Sequence, residues 1–203
     1  MARLILSINV TFDGNVDHRN TVADSEHHEY ALTLLRGATG LILGRHTYEL
    51  FERHWPEVAR TGSGTPNEVA FARELDSRTR YVASRHRTTA TWPGTVILSG
   101  DLSKEIRSLK QRESGYLVIF GSPGLAYALA ELNEIDEYHL VVQPIIAGQG
   151  PTLFSGLSRR LELAHVETRT FRSGAVLNCF WPNDADPGQE STATPRSPEA
   201  SGR

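Results

Sequence analysis

Short apolar runs alternate with longer amphipathic segments along most of the chain. Runs of roughly four to eight residues rich in Val, Ile and Leu are typical of buried strands, and apolar residues spaced three and four apart are typical of helices. The runs predict strands at 3–10, 39–43, 79–83, 95–98, 116–120 and 137–143. The amphipathic segments predict helices at 25–37, 47–53, 67–75, 101–111 and 123–132. Such alternation indicates an α/β protein with a mostly parallel sheet.

The pattern changes near the end of the apolar part of the chain. An alternating segment at 161–168 is followed by Arg172-Ser173-Gly174 and then by a second strand-like segment at 175–181. Two alternating segments joined by a glycine turn are typical of an antiparallel hairpin. We therefore predict a C-terminal antiparallel hairpin at the edge of the sheet.

Beyond Trp181 the chain becomes polar and rich in proline, with almost no apolar residues. A segment of this composition cannot bury enough apolar surface to fold. We predict one folded domain over 1–182 and a disordered C-terminal tail over 183–203. Two polar stretches inside the domain, 13–25 and 59–67, are predicted to be surface loops that could cover a ligand.

Composition restricts the functional classes. The 203 residues are 39% hydrophobic and carry a formal net charge of -3 at pH 7. This charge disfavours nucleic acid and anionic membranes as main partners. The only cysteine, Cys179, cannot form an internal disulfide, and its apolar surroundings in the sequence predict a buried thiol. No long apolar segment follows a charged N-terminal region, so we expect a cytoplasmic protein.

The first candidate site lies where the run at 39–43 ends. Gly44 allows a ligand to approach the backbone, and Arg45, His46 and Thr47 open the next helical segment. The free amides of a helix start favour anions, and arginine adds a permanent charge. One interpretation is a site for a phosphate-bearing ligand. The alternative is an ordinary strand-to-helix turn with a surface arginine, and this segment alone does not separate the two.

Two further strand ends carry similar residues. The strand at 116–120 runs into Gly121-Ser122-Pro123-Gly124-Leu125, where Ser122 is predicted to cap the following helix. The strand at 79–83 runs into Ser84 and Arg85. Each segment by itself also fits a solvated turn. Because the carboxyl ends of parallel strands lie along one edge of a sheet, we favour their convergence on one anionic cofactor.

Taken in order, these sites resemble the dihydrofolate reductase superfamily, specifically its branch with the reductase domain of riboflavin biosynthesis. The matching segments are 7–14 with its Asp-Gly ending, 44–49, 84–85, 121–125 and 132–154. The resemblance covers nearly all of the predicted domain. It implies a dihydrofolate reductase-like three-layer fold in which helices cover both faces of the central sheet.

The resemblance also implies an NADPH-dependent reductase that transfers hydride to a small heterocyclic substrate. In this interpretation Arg45, His46 and Thr47 hold phosphates, and Ser84 and Arg85 favour the 2′-phosphate of NADPH. The cofactor residues that it implies are Gly44, Arg45, His46, Thr47, Ser84, Arg85, Gly121, Ser122, Gly124 and Leu125. Because the cofactor carries the hydride chemistry, the protein has to bind and orient it.

The substrate side is less defined. Asp13 resembles an acid in the family's substrate-side loop and is our candidate catalytic residue, although an ordinary Asp-Gly turn explains it equally well. The helix carboxylate of dihydrofolate reductases would fall near His28, and the adjacent Glu29 points about 100° away on a helix. His27, His28 and Glu26 also lack the spacing of a metal site, so we expect no metal.

Several functional interpretations remain open at this stage. The first is a reductase of the riboflavin-type branch, acting on 5-amino-6-(5-phosphoribosylamino)uracil or an unrelated heterocycle. The others are a pterin reductase, a nucleotide-binding module without turnover, and a phosphate-ligand binder with no nicotinamide preference. The branch commonly forms homodimers, and we therefore expect a homodimer.

Overall fold

Eight strands and five helices follow one another in the computed structural model, which describes residues 1–183. The strands are β1 (Arg3–Thr11), β2 (Gly40–Gly44), β3 (Thr79–Ala83), β4 (Thr95–Leu98), β5 (Tyr116–Phe120), β6 (Glu137–Gln143), β7 (Leu163–Thr170) and β8 (Val176–Pro182). The helices are α1 (Ser25–Gly37), α2 (Arg45–Thr61), α3 (Pro66–Ser77), α4 (Leu102–Arg112) and α5 (Pro123–Glu131). The predicted tail at 183–203 lies outside the described residues, except for its first position.

The strands form one sheet in the order β4-β3-β2-β5-β1-β6-β8-β7. All pairs from β4 to β6 are parallel, whereas β8 is antiparallel to both β6 and β7. The predicted mostly parallel sheet with a C-terminal antiparallel hairpin is therefore confirmed. Parallel pairing places the carboxyl ends of β2, β3 and β5 along the same edge, where their loops can share a ligand.

Helices cover both faces of the sheet. On β1, Leu4 and Leu6 point into a core that includes Ile106 of α4 and Leu129 of α5. Ile5, between them, belongs to the core on the opposite face, which includes residues of α1, α2 and α3. Burial on both faces explains why the parallel strands are continuous apolar runs. The three-layer arrangement agrees with the predicted dihydrofolate reductase-like fold.

Helix α2 differs most from its predicted range of 47–53. It begins at Arg45, continues through Pro56 and ends beside Gly62, whose φ of 68° provides a left-handed helix end. Proline is unfavourable inside helices, but α2 accommodates Pro56 beyond its predicted end at residue 53. The polar loop predicted at 59–67 is correspondingly shorter, because α3 begins at Pro66 with a capping box between Thr65 and Glu68.

Cys179 lies in β8 and is buried, with 5% of its surface exposed, as the sequence predicted. Burial raises the pKa of its thiol to about 12, and the nearby carboxylate of Glu167 acts in the same direction. A thiol in this state is a poor nucleophile. Within residues 1–183, no helix combines the length and the apolar character needed to cross a membrane.

Candidate active site

A cavity of about 700 Å³ lies at the carboxyl ends of β2, β3 and β5. The structure brings together there nine of the ten residues that the sequence assigned to a cofactor. They are Gly44, Arg45, His46, Thr47, Ser84, Arg85, Ser122, Gly124 and Leu125. The tenth, Gly121, lines a neighbouring cavity. Three separate segments of the chain therefore meet at one site, which we call the first cavity.

Two helices begin at the first cavity without side-chain caps. Gly44 precedes α2 and has no side chain to offer, and Ser122 precedes α5 without capping it. The predicted capping role of Ser122 is therefore wrong. Its φ of 54° lies in the left-handed region, and its hydroxyl donates to the carbonyl of Phe120 instead. Both helix starts keep amide groups and a positive dipole end available for an anion.

Reciprocal hydrogen bonds join the two helix starts. The amide of Gly44 donates to Oγ of Ser122 at 3.0 Å, and the amide of Ser122 donates to Oγ1 of Thr47 at 3.1 Å. A Cβ on Gly44 would lie 3.4 Å from Cβ of Leu125, so the backbones pass close to each other here. These bonds fix the spacing of the two helix ends, and within residues 1–183 the hydroxyl of Thr47 accepts a hydrogen bond but donates none, so it can donate to a ligand.

Two arginines give the first cavity its positive charge. Arg45 lies 3.4 Å from a carboxylate oxygen of Glu49 in an exposed contact. Arg85 is exposed and forms no ion pair with any residue of the described range. Arg87, two positions later, is held by Glu52 at 2.9 Å and lies over the ring of Tyr48. Of the two loop arginines, Arg85 is thus the one available to a ligand.

The loop that carries Arg85 is organised by its neighbours. Oγ of Ser84 accepts hydrogen bonds from the amides of His86 and Arg87 at 3.3 and 3.0 Å. Glu52 anchors the far side of the loop by accepting from the amide of Trp92 at 3.3 Å. Burial acts to raise the pKa of Glu52, but hydrogen bonds, led by that from Thr91, together lower it to about 2. Glu52 is therefore ionised at neutral pH.

Gly124 leaves room beside the first cavity. It lies in the first turn of α5, and a Cβ built on it would meet no atom within 4 Å. Its backbone does not have the positive φ that would by itself require glycine. The absence of a side chain therefore leaves open space next to the free amides of the helix start, where a ligand could approach the backbone closely.

A second cavity, of about 830 Å³, lies beside the first. His46, Thr47, Ser122 and Pro123 line both cavities. Its lining includes four aromatic side chains in edge-to-face contact, which we call the aromatic wall: Phe51, Trp55, Phe71 and Phe120. Successive ring centroids along this wall are 6.1, 5.1 and 5.7 Å apart. Apolar walls with few polar groups are typical of small-molecule sites.

Polar groups of the second cavity come from β1 and α1. Ser7, Asn9 and Tyr30 line it, and Oγ of Ser7 lies 3.1 Å from the hydroxyl of Tyr30. That hydroxyl lies 2.8 Å from Nδ1 of His139, whose Nε2 lies 2.6 Å from Glu137. Burial raises the pKa of Tyr30, and the His139 hydrogen bond lowers that of Glu137. Sequence reasoning missed these residues, although Ser7 and Asn9 interrupt an apolar strand.

Asp13 lies outside the set of residues that line the two cavities. Its carboxylate accepts from the hydroxyl of Thr11 and from the amides of Ala147 and Gly148, the last two at 3.1 and 2.7 Å. These hydrogen bonds, led by that of Thr11, lower its pKa from 3.8 to about 2. The geometry shows an ionised carboxylate that ties the loop after β1 to the segment around Gly148.

Helix α1 contributes histidines rather than an acid to the second cavity. His27 and His28 line it, whereas Glu29 is not among its lining residues. Burial lowers the pKa of His27, and the neighbouring His28 acts in the same direction. Among residues 1–183, no three His, Cys, Asp or Glu side chains are grouped as a metal site requires. The polar loop at 13–25 supplies Asp17, among others, to the lining, so it does cover part of the cavity.

Together, the sheet order, the two helix layers and a cavity at the strand ends define an α/β protein of the dihydrofolate reductase-like class. A family model described as the RibD C-terminal domain matches residues 2–177. The chain therefore belongs to the RibD C-terminal domain family.

Individual relatives agree with this assignment. The chain is 25% identical over 177 residues to the uncharacterized protein YyaP of Bacillus subtilis strain 168, covering 86% of this chain and 92% of YyaP. A putative riboflavin biosynthesis protein from Shewanella sp. PV-4 matches with a TM-score of 0.66 and 19% identity, over 90% of this chain and 99% of its own. Dihydrofolate reductase from Enterococcus faecalis, complexed with NADP(H), matches with a TM-score of 0.58 and 16% identity, over 90% and 97%. At these identities the solved structures support the fold.

Proposed function

We propose that this protein is an NADPH-dependent reductase that transfers hydride to a small heterocyclic substrate, as an enzyme of the riboflavin-type branch. One observation carries the proposal. Two uncapped helix starts, Arg45 and Arg85 surround the first cavity, which shares a wall with an aromatic second cavity. The first cavity has the chemistry of a phosphate site, and the second has that of a ring site.

The donor set fits a dinucleotide with several phosphates. Free amides at the starts of α2 and α5, with Arg45 and Thr47, would hold the pyrophosphate. Ser84 and Arg85 would hold the 2′-phosphate, because Arg85 offers an unpaired charge at the end of β3. The nicotinamide supplies a hydride when it is bound. The protein's own contribution is to hold the phosphates and to provide the adjoining cavity for the acceptor.

In this proposal Asp13 is a loop-holding residue rather than a catalytic one. Its carboxylate accepts hydrogen bonds from the end of β1, at Thr11, and from the amides of Ala147 and Gly148, and it does not line the second cavity. The groups nearest to a bound substrate would be the hydroxyls of Ser7 and Tyr30 and the side chain of Asn9. For a pterin reductase the helix acid is missing, because α1 offers His27 and His28 to the cavity instead.

Cofactor titration tests this function. We expect NADPH to bind the purified protein more tightly than NADH, and NADPH to be oxidised when an accepted heterocycle is added. Equal affinities for the two cofactors would instead indicate a phosphate-ligand binder without nicotinamide preference. Tight NADPH binding without oxidation by any aminopyrimidine, pterin or flavin would indicate a non-catalytic nucleotide-binding module.

We also propose that the protein is a cytoplasmic homodimer. The terminal hairpin offers a surface, because β7 is exposed along most of its length and forms an edge of the sheet. Val166 and Trp181 are exposed on this hairpin to 42% and 48%. Light scattering at micromolar concentration tests the assembly: a mass near twice that of the chain supports it, and a monomer mass contradicts it.

A further inference from the structure

The charges around the second cavity contrast with those around the first. Arg45 and Arg85 line the first cavity and not the second. The permanent cation that lines the second cavity, within the part of the chain that the structure describes, is Arg19. Nε of Arg19 lies 2.9 Å from the carboxylate of Asp17, which lines the same cavity. The pair is neutral overall, and Arg19 is largely exposed at the mouth.

Histidines do not replace the missing positive charge. His27 is buried, and burial lowers its pKa, which favours the neutral form. The other histidines of the lining, such as His46 and His54, are not permanent cations as arginine is. A phosphate dianion placed in this cavity would lose hydration without gaining an unpaired permanent cation as a partner among the described residues.

The lining instead suits a flat ring. The four rings of the aromatic wall line the cavity, and Leu50 adds an apolar side chain that is 44% exposed. Aromatic side chains bind planar rings by stacking and by edge contacts. The hydroxyls of Ser7 and Tyr30 and the amide of Asn9 can both donate and accept hydrogen bonds. Such groups match the nitrogen and carbonyl groups at the rim of a heterocycle.

We propose that the second cavity binds an uncharged, planar aromatic heterocycle that carries no phosphate. Only the description of this molecule as the substrate rests on the proposed reductase function, and the binding claim does not. It disfavours a phosphoribosylated aminopyrimidine as the acceptor, because that molecule would bring a dianion into a cavity where residues 1–183 place no unpaired permanent cation.

The test uses three commercially available probes that share a ring system and differ in side chain: lumichrome, riboflavin and FMN. Calorimetric titration near pH 8 gives the dissociation constant of each. We expect lumichrome and riboflavin to bind, and FMN to bind at least about tenfold more weakly than riboflavin, because no unpaired arginine or lysine among the described residues lines the second cavity. FMN binding as tight as that of riboflavin, or no binding of any probe, would overturn the proposal.

Two substitutions at one position sharpen the test. Leu50→Arg adds a cation to the lining at an exposed position of α2, and Leu50→Gln is the uncharged control. We expect Leu50→Arg to lower the ratio of the FMN and riboflavin dissociation constants severalfold. Leu50→Gln should leave this ratio unchanged. An equal effect of both variants on the ratio of dissociation constants would show that these probes bind elsewhere and would contradict the proposal.

A second pair of variants locates the probes. Trp55→Ala removes part of the aromatic wall, and Phe12→Ala removes an aromatic side chain that is 76% exposed and lies outside the cavity lining. We expect only Trp55→Ala to weaken riboflavin, with thermal unfolding used to verify that both variants fold. Riboflavin affinity that is the same in both would refute the assignment. If the flavins bind as expected but NADPH does not bind the protein, the proposed reductase function fails while the cavity assignment stands.

Discussion

Replacing Arg85 with glutamine tests the contact with the 2′-phosphate separately from the protein's other contacts with the cofactor. Arg85 is exposed at the end of β3 and forms no ion pair with other described residues, so its loss leaves the protein's own contacts intact. A hydrogen bond to a charged group contributes about 1.5–3 kcal/mol, which corresponds to roughly 10- to 150-fold in affinity. Because exposed charges are screened by solvent, we expect the lower part of this range, roughly 10- to 30-fold.

The expected loss applies to NADPH and not to NADH, which lacks the 2′-phosphate. Fluorescence titration of both cofactors against the wild type and Arg85→Gln measures it. The NADPH preference of the wild type should also shrink as salt rises, because the screening length is about 10 Å at 0.1 M salt. The preference of the variant should depend much less on salt.

Arg87→Gln is the matched control in the same loop. Arg87 is paired with Glu52 at 2.9 Å and packs over Tyr48, so its replacement should lower the unfolding temperature. Its effect on the two cofactors should be similar, because it changes the loop rather than one phosphate contact. If Arg85→Gln weakened the binding of NADPH and NADH equally, or weakened the binding of neither, the assignment of the 2′-phosphate to this loop would be refuted.

Three further predictions follow from other parts of the site. Gly124→Ala should keep or raise thermal stability, because alanine favours helices over glycine by up to about 1 kcal/mol. The same substitution should weaken the binding of NADPH and NADH equally in a titration. Unchanged affinities would show that the cofactor does not use the open space beside Gly124. The pKa of Asp13 is lowered to about 2, so its stabilising contribution is complete above the ordinary value of 3.8 and is lost as pH falls through about 2. Denaturation across this pH range should show a smaller loss of unfolding free energy for Asp13→Asn than for the wild type. An identical dependence of the unfolding free energy on pH in both proteins would contradict the loop-holding role. Cys179, whose thiol pKa is raised to about 12, should react with a thiol reagent only after unfolding; fast reaction in the native state would disprove its burial.

Local chemistry explains why the first cavity could be predicted from the sequence. Glycines and hydroxyl or basic residues directly after apolar strands are features of single short segments, and parallel pairing brings the ends of those strands together. Gly44, Arg45, Ser84 and Arg85 could therefore be assigned to one site before their distances were known. The alternation of apolar runs and amphipathic segments is also a feature of short segments, and it therefore predicted the fold class.

The remaining features depend on contacts between distant segments. The role of Asp13 depends on amides near Gly148, more than a hundred residues later. The aromatic wall combines residues of α2, α3 and β5, and Trp55 lies beyond the predicted end of α2 at residue 53. The absence of a cap at Ser122 reflects a left-handed backbone, which a Ser-Pro sequence does not indicate.

The central claim is that the first cavity holds the phosphates of NADPH, and a crystal structure of the protein with NADPH tests it most directly. We predict the pyrophosphate between the starts of α2 and α5, the 2′-phosphate in contact with Ser84 and Arg85, and the nicotinamide directed towards the second cavity. A cofactor bound with its phosphates away from both helix starts would contradict the account.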